Sequence, residues 1–595
     1  METALEIIRQ KEQNYINGTT LISEYVSFSP KLNIDKIEAY LNSKHISGKT
    51  DSLGREKPFF NIVTANTNVW YRATDIDRAN IRIKGTESAH HTLALVADAK
   101  NKEWMRKSNF GVWLNEWGRV LSRYGSAVSK FVEVDGELTA TVVPWNRLIV
   151  DAIDFDQNPV IEKHYYTPAQ LRKNKNFDQE QVKLLIERAL QTRETSGKTI
   201  QDSNNAEYIE VYELHGEFEK ELLTGDEKDE DTYVQQVHIC SFVADKDGTY
   251  NDYTLYSGQE KNPYHIAHLI KEDGRVMAIG AVEHMFEAQW MVNHNEKAIK
   301  DQLDFASKLI FQTADPAYLG KNIGDVDNGT VLYNEMNKPL TQVANNSHDI
   351  SSSMNSKTEW IRNSNEQVSA GDAIKGNTMP SGTAALQVQV LQQEAHSLFE
   401  LMTENKGLAL EEIWRAYVIP FLKRQLNNKA EIVAVLDDAG IKQIDSLYIP
   451  NEAKRRFNQM AVDGVIKALS TGDMSKVPAP YDPATAEQGV ANDMKPLGNN
   501  RYFKPDDISE ATWKEVFKDM EWDVEVEITN EQNDKTANLG TLSTVFTDLA
   551  NMGDISNARL VLSKILEETG TFSPMELVSV STQPPAAPQP APQTQ

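Results

Sequence analysis

The stretch 281–311 runs 31 residues without glycine or proline. Within it Val292, Ile299, Leu303, Ala306 and Ile310 recur at intervals of seven, four, three and four. That spacing draws a narrow apolar stripe along one helix, about 46 Å long at 1.5 Å per residue. A second helix is expected over 351–369, where Met354, Ile361 and Val368 hold heptad spacing. Between them, 314–347 is rich in Gly, Asp and Asn, with strand candidates at 330–333 and 340–343. Two narrowly amphipathic helices bury too little alone to be stable. Their stripes need partners, and copies of the same chain in a ring are one solution.

Upstream, 1–60 reads as polar helix with Ile7, Ile8, Leu21, Ile22 and Leu41 as sparse anchors, followed by a Gly/Lys/Asp loop. Over 102–123 the residues Val112, Trp113, Trp117, Val120 and Leu121 fall on one helical face and are expected in a core. The period then changes to that of strands at 127–134 and 138–143, joined by the hairpin pair Asp135-Gly136. Thr167 before Pro168 is a helix start, and 207–216 and 233–256 return to strand character with a turn at Asp247-Gly248. The acidic run 226–231, broken only by Lys228, reads as a solvated loop. Downstream, the loop 371–382 leads into a very long helix carrying Leu391, Ala395, Leu398, Met402, Ile413, Tyr417 and Phe421, with bends at Gly407 and Pro420. The last third offers a strand at 524–528, short helices at 539–549 and 558–568, and a Pro/Gln/Ala tail, 582–595, expected to be disordered. The fold class is α+β and helix-rich.

With 595 residues and 40% hydrophobic composition the chain is long enough for three or four structural units. Its 61 basic and 87 acidic residues leave a net charge of −26, the opposite of a protein that holds nucleic acid by neutralising phosphates. A single cysteine, Cys240, excludes an intrachain disulfide and a cysteine-built metal site and suits a reducing cytoplasm. No run approaches the ~20 apolar residues of a membrane helix. Residues 1–10 lack the apolar core of a signal sequence, so a soluble, untargeted protein is expected.

Two Gly-Lys-Thr triplets, 48–50 and 197–199, resemble the end of a phosphate-binding loop. The required first glycine is Ser43 in one and Thr192 in the other, and each triplet follows helical sequence. His265 and His268, or His90 and His91, lack the spacing of a zinc motif. Neither an enzyme nor a cofactor or metal is expected.

Five segments carry a resemblance: WGRVLSRYGSAVSKF (117–131), VVPWNRLIVD (142–151), NPVIEKHYYTPAQLRK (158–173), GAVEHMFEAQWMVNHNEKAIKDQLDFASKLIF (280–311) and SAGDAIKGNTMPSGTAALQVQVLQQEAHSLFELM (369–402). Together, over roughly 60–425, they resemble the portal proteins, or head-to-tail connectors, of tailed bacteriophages. The resemblance implies an α/β wing over 1–280, stem helices over 281–312 and 348–370, and a small α/β clip over 313–347. It implies a tunnel loop over 371–382, a long kinked wing helix over 383–427, a further wing segment over 428–530, a helical crown over 531–580 and a tail over 581–595. Lys375, Asn377, Thr378, Met379 and Pro380 would approach DNA from the tunnel loop. Asp315, Tyr318, Lys321, Asp325, Asp327 and Tyr333 would lie on the clip that docks the packaging motor and then the tail.

Implied partners are further copies of the chain, twelve in all, the terminase large subunit, the major capsid protein, a neck or tail adaptor, and double-stranded DNA in transit. The implied location is the portal vertex of the virion, reached from the host cytoplasm. Over 281–375, eight basic against thirteen acidic residues leave −5 per subunit, so a ring of such segments repels DNA. Lys297, Lys300, Lys308 and Lys357 are the candidates for weak channel-facing contacts, against a plainer reading as helix surface, such as an i,i+4 pair of Glu296 with Lys300. Two other classes stay open: another ring-forming virion component, such as an adaptor or tail protein, and a soluble enzyme or nucleic-acid module.

Overall fold

A computed structural model describes residues 3–18, 20–23, 26–85, 91–195, 208–225, 232–244, 250–306, 311–318, 337–342, 348–368, 385–425, 432–435, 438–471, 481–498, 500–503, 517, 522–526 and 542–547. The expected turn at 247–248, acidic loop at 226–231, strand at 330–333, loop at 371–382, helix at 558–568 and tail at 582–595 lie outside these residues. The chain forms two compact units, Met1–Asp75 with Val112–Lys406, and Ile76–Gly111 with Gly407–Gln595. Both helices and sheets build it, as the α+β expectation requires.

In the first unit the single polar helix expected over 1–60 is instead α1 (Ala4–Asn17), a hairpin of β1 (Thr20–Ser23) and β2 (Val26–Phe28), and α2 (Pro30–Leu41), followed by α3 (Val63–Ala73). Local chemistry makes the division. Thr3 and Glu6 close a capping box at the start of α1, the Gly18 N–H returns to Asn14 O at its end, and Ser29 caps α2 with Pro30 in its first turn.

A five-stranded antiparallel sheet forms the centre of this unit, from β6 (Leu148–Ile149), β7 (Val160–Tyr166), β8 (Ile209–Glu219), β9 (Tyr233–Ala244) and β10 (Tyr250–Gly258), in the order β10-β9-β8-β7-β6. Its two-residue period is read by helices on both faces. Ile209 and Val211 meet Leu171 of α6 (Pro168–Lys173) and Val182, Leu185 and Ile186 of α7 (Gln179–Thr195). Tyr212 and Leu214, pointing the other way, meet Leu5 and Ile8 of α1 beside Cys240. That cysteine is buried and free. Thr167 caps α6 with a full capping box, as its sequence predicts.

A second sheet, in the order β11-β4-β5, pairs β4 (Ser126–Val134) with β5 (Glu137–Val143) and β11 (Tyr264–His268). The turn Asp135-Gly136 takes φ of 52° and 81°, the left-handed pair that a tight hairpin requires. The helix expected over 102–123 is two, α4 (His91–Lys107) and α5 (Phe110–Tyr124), because Asn109 sits at φ 53° between them. Trp113, Trp117 and Leu121 of α5 are buried as expected, whereas Val112 is exposed.

In the second unit β3 (Ile81–Gly85) pairs antiparallel with β16 (Trp522–Val526), the strand expected near 524–528. Over this pair lies α4, whose Asp98 accepts from the Ile83 N–H and whose Asn101 accepts from Trp414 Nε1. The bend expected at Pro420 is a π-turn over Trp414–Val418. Pro420 has no N–H to return to the helix, so the turn before it widens. A 34-residue helix, Asp438–Thr471, is held to Pro483–Met494 by Ala453, Val490 and Met494. Sequence periodicity did not mark it, since Pro450 lies inside.

Candidate functional site

The helix expected over 281–311 is broken. Ala281–His284 is α9, Phe286–Ala306 is α10, and Phe311 belongs to a strand. No breaker residue causes the first interruption. Met285 is wholly buried and its sulfur receives the Asn66 amide, so packing holds that turn out of register.

Downstream, α11 (His348–Gln367) returns antiparallel along α10. Asn295 Nδ2 donates to Ser356 Oγ at 3.1 Å, and Lys357 pairs with Glu296 one residue further along each helix. Between the helices, β12 (Phe311–Gln312) and β13 (Thr341–Gln342) form a short antiparallel ladder with both strands exposed. The base of this hairpin is anchored by side-chain amides. Gln289 accepts from the Ile62 N–H at 3.0 Å and donates to Phe60 O at 2.7 Å, while Asn293 accepts from the Phe60 N–H at 3.1 Å. On the other helix, Asn365 accepts from Asn66 at 2.9 Å, and Val368 O accepts from Trp70 Nε1 at 2.8 Å.

Burial changes along the hairpin. Val292 and Val368, at the base, are fully buried, but Leu303 and Met354, from the same stripes, are 51% and 54% exposed. The stripes are therefore covered at the base and open toward the β12–β13 end.

The lysines proposed for the channel have partners within the chain. Lys297 lies 3.7 Å from Asp51, Lys300 donates to Glu56 O at 2.9 Å, and Lys357 sits 4.4 Å over the Phe60 ring besides pairing with Glu296. Glu296 thus serves Lys357 and not the i,i+4 neighbour Lys300. Lys308 lies outside the described residues, as do Lys321, Asp325, Asp327, Tyr333, Lys375, Asn377, Thr378, Met379 and Pro380. Of the clip candidates within them, Asp315 is buried and accepts from the Ala317 N–H, shaping a turn, and Tyr318 is half-buried.

The loop that receives these lysines contains the first Gly-Lys-Thr triplet. There Gly48 N–H bonds to His45 O, Thr50 bridges Glu56, and Lys49 pairs with Glu56 at 2.7 Å. This is a closed surface turn without the strand and helix of a phosphate-binding loop. At its centre Asp51 is held at about 2 by the N–H groups of Arg55 and Leu53 and by the Arg55 guanidinium. That guanidinium also reaches Asp301 of α10 at 3.0 Å. Nothing in one dimension ties residues 49–60 to α10, and these contacts were found only in the fold.

One other group has the chemistry of a site. Among the described residues, Glu162, His164 and Glu213 bring ligand atoms close enough for one metal ion. Lys130 occupies that position instead, with Nζ 2.9 Å from Glu162 and 2.6 Å from Glu213. His164 and His215 each sit 2.7 Å from Glu213, and Tyr264 donates to Glu162 at 2.8 Å. Burial alone would raise the Glu213 carboxyl, but hydrogen bonds from both histidines and the Lys130 charge hold it far below the usual range. With a cation built in, the cluster is an internal clamp joining β4 and β11 of one sheet to β7 and β8 of the other. Of the histidines weighed for metal binding, His268 bonds Ser126 Oγ at 2.8 Å, and burial lowers its pKa to about 4.

No described helix is long and apolar enough to cross a membrane. A scan of the chain against protein-family models finds no match, and a search of curated proteins finds none either.

Proposed function

We propose that this chain is the repeating subunit of a portal ring, the channel through which double-stranded DNA enters and leaves a tailed-phage capsid at one vertex. The observation that carries the reading is the hairpin of α10 and α11. Its base is locked to α3 and to residues 60–62, its far end ends in a small exposed ladder, and its stripes are half uncovered. A protruding hairpin of this kind gains its missing contacts from neighbouring copies around an axis. The order of elements supports the same reading: a mixed body, helix, small insertion, returning helix, then a long helix. On this reading the hairpin is the stem, 313–347 the clip that docks the terminase motor and later the adaptor, and 371–382 the tunnel loop. The ring is a passive conduit, and a separate ATPase supplies the force. Among the described residues of the hairpin, Lys297, Lys300 and Lys357 are each engaged within the chain, which on this reading weakens their hold on a translocating duplex.

Negative-stain microscopy of the purified chain tests this directly. Rings of about twelve copies with a central hole wide enough for duplex DNA, roughly 20 Å or more, are expected. Monomers at high concentration, with no ring after prolonged incubation, would overturn it.

A further inference from the structure

The outward face of α5 carries Val112, Glu116, Arg119 and Arg123 at intervals of four, three and four, one stripe along the helix. Glu116 and Arg119 are exposed, and Arg123 is half-buried. Among the described residues neither arginine has an ion pair or hydrogen bond, and Arg123 Nε is buried with no acceptor. Burial first and the Arg119 charge second pull the pKa of Arg123 down, with the Tyr124 phenol opposing them and no carboxylate among the causes. Two adjacent guanidiniums, one of them partly desolvated, are stabilised when carboxylates are brought to them.

Such carboxylates stand at the other end of the same element pair. The chain turns back at Gly125, φ 75°, and β4 runs along α5 with Phe131 5.9 Å from Trp113. From that contact Arg123 lies about 15 Å one way along the helix, at 1.5 Å per residue, and Asp135 about 13 Å the other way along the strand, at 3.3 Å per residue. The tip of the β4–β5 hairpin exposes Val134, Asp135 and Glu137, and neither acid has an ion pair among the described residues. The tip therefore cannot reach the arginines of its own chain, whereas that of a second copy can.

We propose that the β4–β5 tip of each copy, through Asp135 and Glu137, docks on Arg119 and Arg123 of the next copy around the ring. A patch and its complement at opposite ends of one body make a heterologous contact, which closes when repeated about an axis. The spacings agree: the two arginines are one turn apart, about 6 Å along the helix, and residues 135–137 span at most about 7 Å. Glu116, one turn before Arg119, repels a tip that slides toward Val112 and so sets the register. A net charge of −26 drives copies apart, and a local site of opposite sign on each lets them meet. This inference rests on the ring reading and names a contact between its copies.

Charge reversal in the full chain tests it, with Arg119→Glu and Arg123→Glu in one variant and Asp135→Lys and Glu137→Lys in a second. Each alone should lower the fraction assembled into rings about tenfold or more, with amide exchange in α5 and β4 as in wild type. An equal mixture of the two should restore rings, because each acidic tip meets native arginines and each basic tip meets the introduced glutamates. Such alternation closes with an even number of copies. The fourfold variant, with both patches reversed in one chain, should also assemble. Should a reversal fail to fold, the milder pair Asp135→Asn and Glu137→Gln decides, since Asn keeps the left-handed turn. It should raise the concentration for half-assembly about tenfold; an unchanged value overturns the inference. Rings at the wild-type level from both reversals overturn it and leave the ring reading standing. Lost rings that neither the mixture nor the fourfold variant restores also overturn it, and assign the arginines to another anion. A wild-type chain that forms no rings removes both.

Discussion

Lys130 stands between Glu162 and Glu213, with two histidines and a tyrosine completing the group. Removing the cation leaves two buried carboxylates facing each other, so Lys130→Met should cost about 3–5 kcal/mol, read as a lower urea midpoint. Adding Glu213→Gln should restore part of that loss; a double variant no better than the additive sum would mean that the charges do not interact. Lys406 is buried more starkly. Its ammonium donates to Thr74 O and lies 5.6 Å from the Trp117 ring, and burial lowers its pKa to about 8, with Asp75 opposing. The neutral amine is favoured in the fold, so between the folded and unfolded pKa values the unfolded chain binds more protons and stability rises with pH. From pH 7.5 to 9.5 this group should contribute a gain of about 2 kcal/mol. Denaturant titrations of wild type and Lys406→Met at both pH values check it, and the same slope in both would assign the gain elsewhere. Neither lysine could be singled out from sequence. The partners of Lys130 are 32 and 83 residues away, and Thr74 is 332 residues from Lys406. The cap at Thr167 was legible because its partner, Gln170, is three residues along.

At the scale of elements, the hairpin of α10 and α11 depends on a few buried amides at its base more than on its stripes. Gln289→Leu leaves the Ile62 N–H and Phe60 O without their partners inside the protein. The expected cost is about 2–3 kcal/mol, with faster amide exchange at Phe60 and Ile62 and no change in the β4–β5 hairpin. Exchange at Ile62 equal to wild type would show that the anchor lies elsewhere. Both helices were legible in outline, because a stripe at heptad spacing is a local property. The break at Met285 and the strand at Phe311 were not, because a buried sulfur contact and a ladder to residue 342 decide them. The β1–β2 hairpin was missed for a similar reason: it is a short element between two capped helices, where periodicity has no length in which to show.

For the whole molecule, the net charge of −26 sets the behaviour toward DNA. Affinity for duplex should be no tighter than the weak non-specific range, Kd about 10⁻⁴ M at physiological salt, and steep salt dependence should be absent. Titration of labelled duplex at two salt concentrations measures both, and sub-micromolar binding would contradict a sliding channel. The division into units is a second whole-molecule property. β3 finds its strand partner in β16, more than four hundred residues later, and α4 finds Trp414, so residues 76–111 fold with the C-terminal part of the chain. Sequence by itself determined what depends on near neighbours: the α+β class, the left-handed turn at Asp135-Gly136, the cap at Thr167, the two helices of the hairpin in outline and the sign of the charge. Tertiary structure alone decided which strand β3 joins, where the long helix breaks, and that Lys297, Lys300 and Lys357 are engaged by a loop some 240 to 300 residues away in the chain. The physical reason is the range of the forces. Dihedral preference and period act within a few residues, while burial and ion pairing act between whatever surfaces the fold brings within a few ångströms.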